Sequence, residues 1–183
     1  MRSNKRKAIS ISCSVVALSM LFLMGDVTAR AEGPIKIGAF FALSGPAASI
    51  GTPTKLVAQM GVDKINKEGG INKRPLELAT GDTESDPTKA KMVALRLVEN
   101  DKVVALIGPT RTDEGLAAKP YVEDTAHRPV IMTIGGDPVI SGGKFGPFKW
   151  TFKTPQRTSI AVKKLYNYIQ SQKQTKIAIL TAT

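Results

Sequence analysis

The stretch VVALIGPTRTDEGLAA, Val103–Ala118, joins two kinds of chain across a short break. Val103 to Ile107 form a continuous apolar run that ends at Gly108-Pro109. Thr110-Arg111-Thr112 follow, then two carboxylates and an alanine-rich segment. An unbroken apolar run suits a strand covered on both faces, as in a parallel sheet. Asp113 and Glu114 favour the positive first turn of a helix, so Thr112 is expected as the N-cap of a helix running from about Asp113 to Ala126. A strand feeding a helix through a short loop is the repeating unit of an α/β fold.

The same unit recurs on either side. IKIGAFFAL (Ile35–Leu43) reads as a buried strand ended by Ser44-Gly45-Pro46. In the next segment Thr52 can cap a helix with Pro53 at its first position, and Val57, Ala58, Gly61, Val62 and Ile65 make an apolar stripe before Gly69-Gly70 stops it. PLELATGD is the next strand. Asp86 and Pro87 then repeat the start signal for a helix that buries Ala90, Val93, Ala94, Leu97 and Val98. PVIMTI (Pro129–Ile134) is a further strand, followed by a glycine-rich loop and FKWTFKT. A fourth helix carries Ala161, Leu165, Tyr168 and Ile169 on one face, and KIAIL (Lys176–Leu180) reads as one more strand. This alternation predicts an α/β fold, a doubly wound parallel sheet of Rossmann-like type with right-handed crossovers and helices on both faces. Ligands of such sheets sit outside the carboxyl ends of the strands. Three loops leave those ends: Ala42 to Thr52, Pro109 to Thr112, and Ile134 to Gly143.

The amino terminus is of a different character. Arg2, Lys5, Arg6 and Lys7 precede an apolar run, Ala8–Met24, of 17 residues with four serines inside it, and Ala29-Arg30-Ala31 supplies small residues for cleavage. The run is short of the about 20 residues a membrane span needs, which favours a cleaved secretory leader over an anchor. Cys13, the sole cysteine, lies early in that run, so a chain starting at Glu32 has no thiol for a disulfide, a nucleophile or a metal. Setting the leader aside leaves 21 basic and 14 acidic residues, a net charge of +7. Those charges are scattered and aromatics are 5% of the chain. A solvated basic surface accounts for this better than nucleic-acid binding, which would want clustered cations and stacking rings.

The Thr110-Arg111-Thr112 loop offers two hydroxyls, a guanidinium and the unpaired N–H groups of a helix start, a donor set suited to a carboxylate or phosphate. Simple capping, with Arg111 in solvent, explains the same residues without a ligand. In the loop after the next strand, Gly135 and Gly136 expose backbone and Asp137 could accept from an ammonium group; an ordinary turn is the alternative. Together the two loops would suit a zwitterion such as a free amino acid. His127, the only histidine, has no second histidine or cysteine with which to complete a catalytic or metal site. GGDPVISGGKFG lacks both the Walker-A and the dinucleotide spacings. Asp82, Glu84 and Asp86 could hold a cation, or form a solvated loop with a helix cap.

Four segments, IKIGAFFALSGPAASIG, DKINKEGGINKRPLEL, DTESDPTKAKMVALRLVENDKVVALIGP and FKTPQRTS, together resemble the N-terminal part of type I periplasmic binding proteins of the branched-chain amino-acid-binding family. The resemblance implies two α/β lobes that close on a solute and deliver it to an ABC-type membrane permease, without enzymatic activity or cofactor, as a periplasmic monomer at full length. It implies that Thr110 and Thr112 hold the ligand α-carboxylate, and that Gly135, Gly136 and Asp137 match the loop that binds the α-carboxylate and α-ammonium. Ile50 matches a position that touches the ligand side chain. Asp137 departs from the usual serine or threonine, and Arg111 is bulkier than the small residue common at its place and hints at a more acidic ligand.

The expected organisation is a signal peptide over 1–31, an incomplete first lobe over 32–148, an inter-lobe crossover over 149–156 and the start of a second, truncated lobe over 157–183. The expected role is the N-terminal fragment of a solute-binding protein for an amino acid or small carboxylate. A ligand-sensing regulatory module of the same fold is the first rival. An enzyme on a doubly wound sheet is the second, opposed by the lack of a nucleophile–base pair in the sequence.

Overall fold

The computed structural model describes residues 33–179. The expected leader, Cys13 and the cleavage point after Ala31 lie outside the described residues, as does Leu180. Five parallel strands form one sheet: β1 (Ile35–Phe41), β2 (Leu76–Asp82), β3 (Ala105–Ile107), β4 (Val130–Met132) and β5 (Thr151–Lys153), in the order β2-β1-β3-β4-β5. The helices are α1 (Ala48–Lys67), α2 (Pro87–Glu99), α3 (Thr112–Tyr121), which runs on into a π turn over Val122–Ala126, and α4 (Thr158–Ser171). None of the described helices is long and apolar enough to cross a membrane.

The chain leaves β1 toward β2 on one side and returns past β1 to reach β3 on the other, so winding reverses between β1 and β3. Loops diverge at such a reversal and leave a crevice at the strands' carboxyl ends. Helices α2 and α3 cover one face of the sheet. There Phe40, Leu97, Leu106, Val122, Val130 and Met132 are buried in a common core, each contributing about 1.5–3 kcal/mol through its removal from water. Gly38 opposes Leu106 in register, and a Cβ on it would come within 2.7 Å of the Leu106 side chain. On the other face α1 packs against β1 and β2. Beyond it the row Ile107–Ile131–Phe152 runs across the sheet, with Ile131 44% and Phe152 53% exposed.

Several local expectations are corrected. Helix α1 begins at Ala48 with Ala47 in the cap position, a full turn before the expected Thr52 cap, and Pro53 sits inside it. The start is set from a distance: the Ala47 amide donates to the Ser85 hydroxyl at 3.0 Å, and Ala48 turns back on the Gly45 carbonyl. The buried row of α1 is Gly51 and Val62 with Ala58 and Ile65 half-buried, while Val57 and Gly61 face solvent. Asn66 fixes that rotation by exchanging two hydrogen bonds with the Leu76 backbone, at 2.9 and 2.7 Å. Lys176 to Ile179 form no strand. A strand exists only through a paired neighbour, and none of the described strands lies beside this segment. The crossover segment, by contrast, contributes β5.

Asp86 caps α2 as expected, accepting from the Lys89 amide at 2.8 Å, with Pro87 in the first turn. His127 ends the π turn in a left-handed conformation, φ 47°, its ring 5.9 Å from that of Trp150. That is the structural role a lone histidine at a helix end suggests.

Candidate functional site

The crevice between the β1 and β3 ends is tied together by Thr110. Its hydroxyl oxygen accepts from the Ala42 amide at 3.0 Å, joining the loop after β1 to the loop after β3. The first turns of α1 pack onto the same spot. A Cβ on Gly51 would lie 2.0 Å from the Ala42 carbonyl oxygen and 2.9 Å from the Thr110 hydroxyl. Ile50, next in the chain, is 62% exposed at this rim.

The Thr-Arg-Thr loop is organised by a residue the sequence reading used only as a first-turn charge. Glu114 is fully buried. One carboxylate oxygen accepts from the Thr83 hydroxyl at 2.6 Å, and the other from the amides of Arg111 at 2.8 Å and Thr110 at 3.2 Å. The expected Thr112 cap is therefore corrected: α3 starts at Thr112, Arg111 holds the extended cap position, and Glu114 reaches back to satisfy the amides before the helix. The bond from the Arg111 amide back to Glu114 is half of a capping box, but with an arginine at the cap the sequence carries no Ser/Thr-x-x-Glu signal that would have marked Glu114. Thr112 is thereby released from capping. Its hydroxyl and the amides of Thr112 and Asp113 have no partner among the described residues. Arg111 does not extend into solvent alone; its guanidinium forks onto Asp113 through two bonds of 3.0 and 2.6 Å.

Thr112 also reaches the third loop. A Cβ on Gly136 would come within 2.3 Å of the Thr112 methyl and 2.6 Å of its hydroxyl, so the bare glycine backbone makes room for that side chain. The structure thus brings Ile50, Thr110, Arg111, Thr112, Gly135, Gly136 and Asp137 to neighbouring loops at one end of the sheet.

The acceptors of the third loop are engaged by the chain itself. The Gly135 carbonyl accepts from Lys153 Nζ at 2.7 Å and from the Thr158 hydroxyl at 2.5 Å. Asp137 accepts from Lys153 Nζ at 3.2 Å and from the amides of Thr158 and Ser159 at 3.0 and 2.9 Å, so it caps α4. Hydrogen bonds from Ser159, side chain and backbone, and then from Lys153 and Thr158 outweigh desolvation and hold its carboxyl well below the usual carboxylate range. The Lys153 side chain is only 3% exposed. Neither Lys153 nor Thr158 stood out in sequence, because their partners lie in a loop far back along the chain.

The acidic loop does not converge on a cation. Asp82 accepts from the amides of Leu43, Ser44 and Glu84 and from the Ser44 hydroxyl. Although its partial burial opposes this, those bonds lower its pKa. Glu84 pairs with Lys89, and Asp86 is the α2 cap. No group of three or more His, Cys, Asp or Glu among the described residues is placed to hold a metal ion.

The family described as "Periplasmic binding protein" matches residues 34–183. An amino acid binding protein of Pseudomonas aeruginosa is 25% identical over 159 residues, 87% of this chain and 42% of the relative. The Leu/Ile/Val-binding protein of Escherichia coli K12 is 32% identical over 120 residues, 66% of this chain and 30% of the relative. Among solved structures, the branched-chain amino acid transporter substrate binding protein LivJ of Streptococcus pneumoniae, in complex with isoleucine, superposes with a TM-score of 0.67 at 31% identity. That match covers 76% of this chain and 38% of LivJ. The chain thus spans less than half the length of these relatives.

Proposed function

The chain belongs to the periplasmic binding protein family, and from that membership and the loop geometry we propose that it captures a small carboxylate solute for an ABC-type permease. Two ligand classes fit a carboxylate site: an amino acid of branched-chain type, the class named for its relatives, and a small carboxylic acid without an amine. The protein is non-enzymatic in this reading, exported to the periplasm after removal of residues 1–31. Residues 32–148 act as the first ligand-binding lobe, 149–156 as the crossover and 157–183 as the start of a second lobe.

The observation that carries the proposal is the open donor set at the switch point. The Thr112 hydroxyl and the first two amides of α3 are unpaired among the described residues, at the positive end of a helix held in place by buried Glu114. Such an arrangement favours an anion. Thr110 acts beside it as a brace through Ala42, and Ile50 offers an apolar surface for the ligand's side chain. The test is amide chemical-shift mapping on the exported, 15N-labelled chain titrated with small carboxylic and amino acids. Shifts centred on Thr112 and Asp113 are expected, and shifts confined to other surfaces would refute the assignment. Sequencing of the exported protein from Glu32 would establish the leader, and retention of Met1 would refute it.

A further inference from the structure

Building on that reading of the site as a small-carboxylate receptor, we infer that its ligand is a carboxylic acid without an α-ammonium group, because Lys153 occupies the acceptors an ammonium would need. An ammonium ligand needs acceptors, and those that the family resemblance assigns to it in this loop are the Gly135 carbonyl and the Asp137 carboxylate. A carbonyl oxygen has two lone pairs. Both of Gly135's are used, by Lys153 Nζ and by the Thr158 hydroxyl. Asp137 accepts on Oδ1 from Lys153 and Thr158 and on Oδ2 from Ser159, which adds its side chain to its amide, and its negative charge is paired with Lys153.

Lys153 is not a surface residue that would swing aside. Its side chain is 3% exposed, and its ammonium is held by three acceptors, the third being the Gln156 carbonyl at 3.2 Å. A ligand ammonium would compete for filled acceptors and sit against the like charge of the Lys153 ammonium. A ligand carboxylate meets the opposite situation, with donors at Thr112 and Asp113 that are unpaired among the described residues and the Lys153 charge nearby.

The test compares leucine with isocaproate, the same carbon skeleton without the amine, by shift mapping on the exported chain and on Lys153→Met, which keeps length but removes the charge. Isocaproate is expected to bind about tenfold or more tighter than leucine, and Lys153→Met to move that ratio about tenfold toward leucine. Leucine binding the unaltered chain as tightly as isocaproate would overturn the inference and leave the small-carboxylate reading standing. Binding of neither would refute that reading and the inference with it. Should Lys153→Met fail to fold, Lys153→Gln replaces it, and the ratio in the unaltered chain decides by itself.

Discussion

The Thr83 hydroxyl donates to Glu114 at 2.6 Å, linking the residue that follows β2 to the first turn of α3 over the end of the sheet. The same carboxylate holds the Thr110 and Arg111 amides. One buried side chain therefore sets the conformation of the whole loop beneath the proposed site. Glu114→Ala would orphan three donors at once. Each unsatisfied buried group costs about 1–3 kcal/mol, so the loss should exceed the roughly 1 kcal/mol typical of a point substitution. Glu114→Gln, which keeps one acceptor oxygen, should lose less. Denaturant titration ranks the three proteins, and equal midpoints for all of them would remove Glu114 from this role.

Thr112 makes the opposite prediction. Because Glu114 does the capping, Thr112→Ala should cost less stability than the about 1 kcal/mol of a lost cap. A charge-assisted donor to a bound carboxylate is worth on the order of 1.5–3 kcal/mol, so binding should fall by more than stability. Thr112→Ser, which keeps the hydroxyl, should bind nearly as the unaltered chain does. Calorimetry and thermal melting on the two variants separate these effects. Unchanged affinity in Thr112→Ala would leave the residue with no ligand role.

Asp137 predicts a pH dependence. Its carboxyl is depressed below the ordinary value of 3.8 by Ser159, with Lys153 and Thr158 adding to the shift. A depressed folded-state pKa means that the unfolded chain takes up the proton first as the solution is acidified. The contribution of Asp137 is therefore fully present above 3.8 and is lost progressively below it. Asp137→Asn removes this titration, so its stability should decline less than that of the unaltered chain between neutral pH and about pH 3. Denaturation at the two pH values tests the point, and parallel declines would show that Asp137 is not held as described.

What was legible in sequence follows from how local each cause is. The Asp86–Pro87 signal worked because its bond runs to Lys89, three residues on. Thr52–Pro53 carries the same signal and failed, because the start of α1 is fixed by Ser85 from another loop. The strand alternation and the carboxyl-end loops were readable from apolar runs that a parallel sheet requires on both faces. The rotation of α1 was not, since Asn66 sets it through the edge strand β2. In the site, the residue types around Thr112 were visible, but which groups are free was not. Glu114 takes over the cap and Lys153 takes the acceptors of Gly135 and Asp137, and both choices are made by contacts between loops.

Two glycines of α1 should respond oppositely to the same substitution. Alanine is preferred to glycine inside a helix by about 0.8–1.0 kcal/mol, and on propensity alone both Gly51→Ala and Gly61→Ala would stabilise. A Cβ on Gly61 meets nothing within 4 Å, so that gain should be realised. A Cβ on Gly51 would lie 2.0 Å from the Ala42 carbonyl oxygen, which is backbone and cannot rotate away. Relief requires α1 to move off β1, which strains the Ala42–Thr110 hydrogen bond that closes the crevice. Overpacking of this kind costs about 1–3 kcal/mol or more, so it outweighs the propensity gain. Gly61→Ala should therefore raise the melting temperature and Gly51→Ala lower it, with the amide shifts of Ala42 and Thr110 moving only in the latter. A rise in both would mean that α1 is not seated against the β1 loop, and that Thr110 does not brace the site from that side.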